Sequence, residues 1–118
     1  MSFTVIESSG KLISVKITGG LKKAELDQIQ TIASELIKRE GQIKMLVILE
    51  DFLGWERGAD WEDMNFQEEH DRDIEKIAII GDEKWRNLVL AFTGKPFRPV
   101  AIEYFTPSQL DQARTWIT

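Results

Sequence analysis

The most informative run of the chain, residues 43–49, has the sequence Ile43-Lys44-Met45-Leu46-Val47-Ile48-Leu49. Six of these seven residues are apolar, and a run this continuous is typical of a strand that is buried on both faces of a sheet. Such strands occur where helices cover both sides of the sheet. The run therefore predicts an α/β fold.

The residues that precede this run predict a hairpin and a helix. Residues Phe3–Glu7 alternate apolar and polar side chains, Ser8-Ser9-Gly10 has turn composition, and Leu12–Ile17 is apolar again. The segment Lys22–Glu40 then repeats apolar residues every three or four positions, which predicts an amphipathic helix ending at Gly41.

The residues that follow the run predict two more strands, each of which is followed by a helix. Ile77–Ile80 is a short buried strand, and Asp82 can cap a helix that extends to about Phe92. Val100–Phe105 is the last strand. Thr106-Pro107-Ser108-Gln109 is a capping box with proline at the first helical position, which predicts a helix over Ser108–Ile117.

These elements predict one α/β domain over residues 1–118. Strands that alternate with helices favour parallel neighbours with right-handed crossovers. We expect a mainly parallel five-stranded sheet with an N-terminal β-hairpin and about four helices. Besides the three helices already given, a helix is expected at about Ala59–His70, where the apolar spacing is least regular.

The segment Gly54–Asp73 is unusual because it combines aromatic and acidic side chains. Its aromatic residues either cover the edge of the sheet or line a pocket or a subunit contact. In the second case the ligand- or partner-binding residues would be Trp55, Trp61, Glu62, Asp63, Phe66 and His70.

Charge is concentrated in the same region. Residues Glu50–Glu75 hold eleven acidic residues and two arginines, a net charge of −9 within a chain whose total is −5. A surface with this charge repels phosphate, so no nucleic-acid partner is expected. The acids form either a solvated face or a docking surface for a basic partner.

The sequence offers little for catalysis. It has no cysteine, no dinucleotide or phosphate-binding glycine motif, and one histidine, His70, with only Asp73 near enough on a helix to share a metal. Glu50 and Asp51 could do acid–base chemistry at the end of a strand, but such pairs also cap loops. We expect no enzyme activity, cofactor or metal. No apolar run is long enough to span a bilayer and no signal peptide is evident, so a cytoplasmic location is expected.

Several motifs resemble the SpoIIAA-like family of small bacterial proteins. The similar pieces cover essentially the whole chain: Asp51-Phe52-x-Gly54-Trp55, Ala59-x-Trp61-Glu62-Asp63-x-x-Phe66, Ile77-Ala78-Ile79-Ile80-Gly81-Asp82-x-x-Trp85, Pro96-Phe97, Tyr104-Phe105 and Ala113-x-x-Trp116. The resemblance implies a βα superhelical fold shared with STAS domains (sulphate transporter and anti-sigma factor antagonist) and with CRAL-TRIO lipid carriers.

The resemblance also implies a regulatory site that this chain lacks. The anti-sigma factor antagonists are switched by phosphorylation of a serine in an Asp-Ser-x-Gly turn. The matching turn here is Asp51-Phe52-Leu53-Gly54, and no Ser or Thr occurs between Glu50 and Arg72. We therefore expect no phosphorylation in this segment.

Two functions follow from the sequence and the resemblance. The first is a non-catalytic binding or regulatory module that engages a protein partner, or a second copy as a homodimer, through the acidic, tryptophan-bearing segment. The alternative is a carrier of a small apolar, lipid-like ligand, with Gly54–Asp73 as a lid and Trp55, Trp61 and Phe66 in the pocket.

Overall fold

A single five-stranded sheet organises the computed structural model, which describes residues 3–56, 72–93 and 100–118. The strands lie in sequence order, β1 to β5. They are β1 (Phe3–Ser9), β2 (Leu12–Leu21), β3 (Ile43–Trp55), β4 (Ile74–Ile80) and β5 (Ala101–Phe105).

The sheet is mixed, and the expectation of a mainly parallel sheet is wrong. The turn at Gly10, where φ is 56°, folds β1 back on β2 so that the two strands pair antiparallel along most of their length. The pairs β2–β3, β3–β4 and β4–β5 are parallel because a crossover connects each of them. The predicted hairpin is confirmed.

The described residues contain three α-helices rather than about four. They are α1 (Lys23–Glu40), α2 (Arg86–Thr93) and α3 (Leu110–Ile117). Short 3₁₀ turns, Glu83–Trp85 and Pro107–Gln109, precede α2 and α3. The helix predicted at Ala59–His70 lies outside the described residues.

Local sequence explains where the helices begin and end. Gly41 adopts φ 84° after α1 and donates its N–H to the carbonyl of Ile37 at 2.7 Å. The Asp82 carboxylate accepts the Lys84 N–H at 3.0 Å before α2. The Gln109 side chain accepts the Thr106 N–H at 2.9 Å before α3, as the predicted capping box requires.

Helices pack on both faces of the sheet and form two apolar clusters. One face carries α1 and α2, whose side chains pack with β2, β3, β4 and β5 in the larger cluster. The opposite face carries α3, where Ala113 and Ile117 pack against Leu46, Ala78 and Ile80. Leu46 is completely buried, so β3 has buried residues on both faces, as its apolar run predicts. No helix in the part of the chain that the structure describes is long and apolar enough to cross a membrane.

Candidate functional site

The end of β3 is bulged. β3 continues six residues beyond the predicted end at Leu49, to Trp55. In the pairing with β2, Glu50 lies opposite Thr18 and Gly54 lies opposite Gly20, so residues 51–53 stand against Gly19 alone. Asp51 has φ 50° and Gly54 has φ 99°, which are left-handed values at both ends of the extra residues.

This bulge decides which side chains are buried at the end of the strand. In a regular strand, residues 49 and 52 would face opposite sides of the sheet. Here Leu49 and Phe52 both belong to the cluster beneath α1 and α2, and Phe52 is only 7% exposed. Leu53 is 77% exposed, the most exposed large apolar side chain among the described residues.

Phe52 belongs to a group of four aromatic rings from β3 and the α2 region. Its ring centroid lies 5.3 Å from that of Trp55 and 5.0 Å from that of Trp85, both edge to face. Trp55 also lies 5.0 Å from Phe92. Gly54 suits this packing because it adopts φ 99°, a backbone conformation that residues with a Cβ rarely adopt. The aromatic group therefore fixes the bulge against α2.

A cleft of about 460 Å³ opens beside this bulge, and we call it the carboxyl-edge cleft. It lies where the parallel strands β3 and β4 end, the position at which open α/β sheets bind ligands. Its described lining residues are Ile48, Leu49, Glu50, Asp51, Phe52, Ile80, Asp82, Lys84, Trp85, Pro107 and Leu110. The cleft thus combines an apolar surface with three carboxylates and one ammonium group.

The charged groups around the cleft are solvated rather than buried. Glu50 forms an ion pair of 3.1 Å with Lys16, and both side chains are exposed. Behind the cleft, Arg86 donates to both carboxylate oxygens of Glu83, at 2.8 and 2.9 Å. This pairing lowers the pKa of Glu83 and raises that of Arg86. Exposed carboxylates of this kind are suited to recognition of positive charge.

Tyr104 links β5 to the wall of the cleft. Its hydroxyl donates to the carbonyl of Asp82 at 2.8 Å, and its side chain is buried. Burial disfavours the phenolate and raises the pKa of Tyr104 to about 12, although the Arg86 guanidinium, 5.2 Å from the ring, acts in the opposite direction.

We expect this hydroxyl to titrate in the folded protein near pH 12 rather than at its ordinary pKa of 10.0. Tyr104 is the sole tyrosine, so phenolate absorbance during a pH titration reports on it alone. The unfolded chain loses the proton first, so the contribution of Tyr104 to stability is complete below pH 10 and is lost as the pH rises to about 12. A folded-state midpoint near pH 10 would contradict this description of its environment.

The structure describes one of the six side chains predicted to bind a ligand or partner. Trp55 is half-buried in the aromatic group, so it faces the core beneath α2. The other five, Trp61, Glu62, Asp63, Phe66 and His70, lie outside the described residues. The exposure of Leu53 was not predicted, and its only signal in the sequence is the glycine that follows it.

The described residues do not form a metal centre. They include no group of three or more His, Cys, Asp or Glu side chains placed to hold an ion. Glu50 and Asp51, the carboxylates considered for acid–base chemistry, are both exposed to solvent.

Together these features define a small mixed α/β protein with a cleft at the carboxyl edge of its sheet. A model of the SpoIIAA-like family matches residues 12–118, and the chain belongs to that family. The resemblance inferred from the sequence motifs is thereby confirmed.

Comparison with solved structures gives the same fold. The crystal structure of an uncharacterized protein of the DUF3478 family from Shewanella loihica, described as having a SpoIIAA-like fold, matches with a TM-score of 0.75. The two chains are 19% identical, and the match covers 99% of this chain and 94% of the other. A search of curated proteins found no matching sequence.

Proposed function

We propose that this chain is a non-catalytic binding module that docks a protein partner at the carboxyl-edge cleft. The observation that carries the proposal is the exposed Leu53, which directly follows Glu50, Asp51 and Phe52 of the cleft lining in the bulged end of β3. Contiguous apolar surface rimmed by polar groups is typical of protein contacts, and the cleft together with the adjoining Leu53 would form such a surface.

The charge around the cleft indicates the chemistry of the partner. Glu50, Asp51 and Asp82 outnumber Lys84 in the lining, so a segment that presents Lys or Arg beside an apolar side chain is complementary. The acidic segment 57–71, with Trp61, Glu62, Asp63, Phe66 and His70, is proposed to extend the contact surface. The support for this extension is its sequence, which carries most of the −9 charge of residues 50–75.

We also propose that docking is not controlled by phosphorylation of the bulge. In the family turn Asp-Ser-x-Gly, the position of the serine corresponds to Phe52 here, and the Phe52 side chain is buried against Trp55 and Trp85. Regulation by a phosphate at this position would need a hydroxyl that the sequence does not supply.

Capture of bacterial proteins by the immobilised chain tests the docking proposal. We expect Leu53→Ser to lose partners that the unmodified chain retains, because Leu53 is exposed and contributes little to folding. The matched control is Ile6→Ser, which changes an exposed apolar residue on a different strand, β1, and should retain these partners. Added salt should elute these partners, since charge attraction is screened. Equal capture by Leu53→Ser and the unmodified chain would overturn the proposal.

A second candidate function is carriage of a small apolar molecule. Its support is a cavity of about 160 Å³ between α1, α2 and the sheet, with Trp55 among its lining residues. Mass spectrometry of the purified protein tests this function. A carrier should show excess mass under native conditions that disappears on denaturation, and a bare chain mass after purification from cells would count against it.

A further inference from the structure

The cavity between α1, α2 and the sheet is largely apolar. Its described lining includes Leu26 and Ile29 from α1, Val47 and Ile77 from the sheet, and Phe92 from α2. The Trp55 ring, 5.0 Å from that of Phe92, adds a second aromatic wall. An apolar site of this kind holds water poorly and favours an apolar guest.

The volume of the cavity limits the size of that guest. Pockets for drug-sized ligands start at about 300 Å³, almost twice the 160 Å³ found here. Apolar cavities of about 150 Å³ in other proteins stay dry and bind benzene or xenon. The site is therefore large enough for one aromatic ring and too small for a lipid chain.

The polar side chains of the lining indicate that the guest carries one hydrogen-bonding group. Lys23 is paired with Asp27, and the Thr93 hydroxyl donates to the carbonyl of Leu90 at 2.7 Å. Gln30 also lines the cavity, is half-buried, and makes no side-chain hydrogen bond within the described residues. Gln30 thus offers a donor and an acceptor next to an apolar space.

We propose that this cavity binds a single-ring or indole-sized aromatic molecule with one hydrogen-bonding group, which contacts Gln30. This inference deepens the second candidate function and rests on it. It does not depend on docking at the carboxyl-edge cleft, although Leu49 and Phe52 line both spaces.

Thermal unfolding of the whole chain with added benzene, indole or decanoate tests the size assignment. A molecule that binds only the folded protein raises the midpoint temperature of unfolding as the concentration of that molecule increases. We expect both ring compounds to raise the midpoint, indole more than benzene, and decanoate to leave it unchanged. No rise with either ring compound would overturn the proposal. A larger rise with decanoate would overturn the size assignment while leaving a carrier function in place.

Three variants test whether the ring compounds raise the unfolding midpoint by binding in this cavity. Val47→Phe places a ring in the cavity and should abolish the rise, whereas Val5→Phe makes the same change on the same sheet face outside the cavity lining and should preserve it. Gln30→Leu should reduce the advantage of indole over benzene, because the hydrogen bond to the indole N–H is lost, and should leave the benzene effect. An unchanged response of Val47→Phe would show that the probes bind elsewhere and would overturn the proposal.

Discussion

Replacement of Phe52 by alanine is expected to lower the free energy of unfolding by about 3–5 kcal/mol. Phe52 is 7% exposed and packs edge to face against Trp55 and Trp85, with centroid distances of 5.3 and 5.0 Å. Its removal leaves a void in the middle of an aromatic group that also holds the end of β3 against α2. Urea denaturation followed by circular dichroism measures the loss.

The adjacent residue provides the matched control. Leu53 is 77% exposed, so Leu53→Ala should change the free energy of unfolding by no more than about 0.5 kcal/mol. The contrast between neighbours depends on the bulge at Asp51, because a shift of one residue in the strand exchanges buried and exposed positions. A larger loss from Leu53→Ala than from Phe52→Ala would contradict the register described for β3.

Gly81→Ala is expected to destabilise the protein by about 1–3 kcal/mol, the usual cost of overpacking a core. A Cβ at Gly81 would lie 2.5 Å from the Tyr104 hydroxyl oxygen and 3.2 Å from two carbons of Leu49. Tyr104 is buried and its hydroxyl is bonded to the Asp82 carbonyl, so the ring has little freedom to retreat. Thermal or urea unfolding of Gly81→Ala and of the unmodified chain measures this loss of stability.

Two further variants identify the cause of that loss. Gly20→Ala is the control, since a Cβ there meets no atom within 4 Å and no positive φ is involved. In a Tyr104→Phe background, the additional cost of Gly81→Ala should fall because the closest contacting atom is absent. An additive double variant would show that the Tyr104 hydroxyl is not the obstacle.

Much of the fold can be predicted from the sequence because its signals are local. The apolar runs at residues 43–49 and 77–80 predict β3 and β4, and Gly41, Asp82 and the Thr106–Gln109 box predict helix ends that the structure confirms. The start of β4 at Ile74 is less evident, since Glu75 and Lys76 interrupt the apolar run. Pairing direction is not a local property: the hairpin predicts the antiparallel pair β1–β2, but the description of the sheet as mainly parallel is wrong.

The candidate site is harder to predict because it depends on a backbone irregularity. Apolar alternation cannot show that Phe52 turns inward and Leu53 outward, since this follows from the positive φ of Asp51 and the extra residues opposite Gly19. The sequence predicts Trp55 as a binding residue because it lies in an acidic segment, whereas in the structure it packs against the core. The exposed Leu53 becomes apparent only when the bulge is known.

The central claim is that a protein partner docks at the carboxyl-edge cleft, and amide hydrogen exchange tests it most directly. The exchange rates of the chain should be compared alone and in complex with a partner that Leu53→Ser fails to capture. Docking at the cleft predicts slower exchange in residues 50–54 and 82–85. Slower exchange confined to α1, residues 23–40, with residues 50–54 unchanged, would contradict the claim.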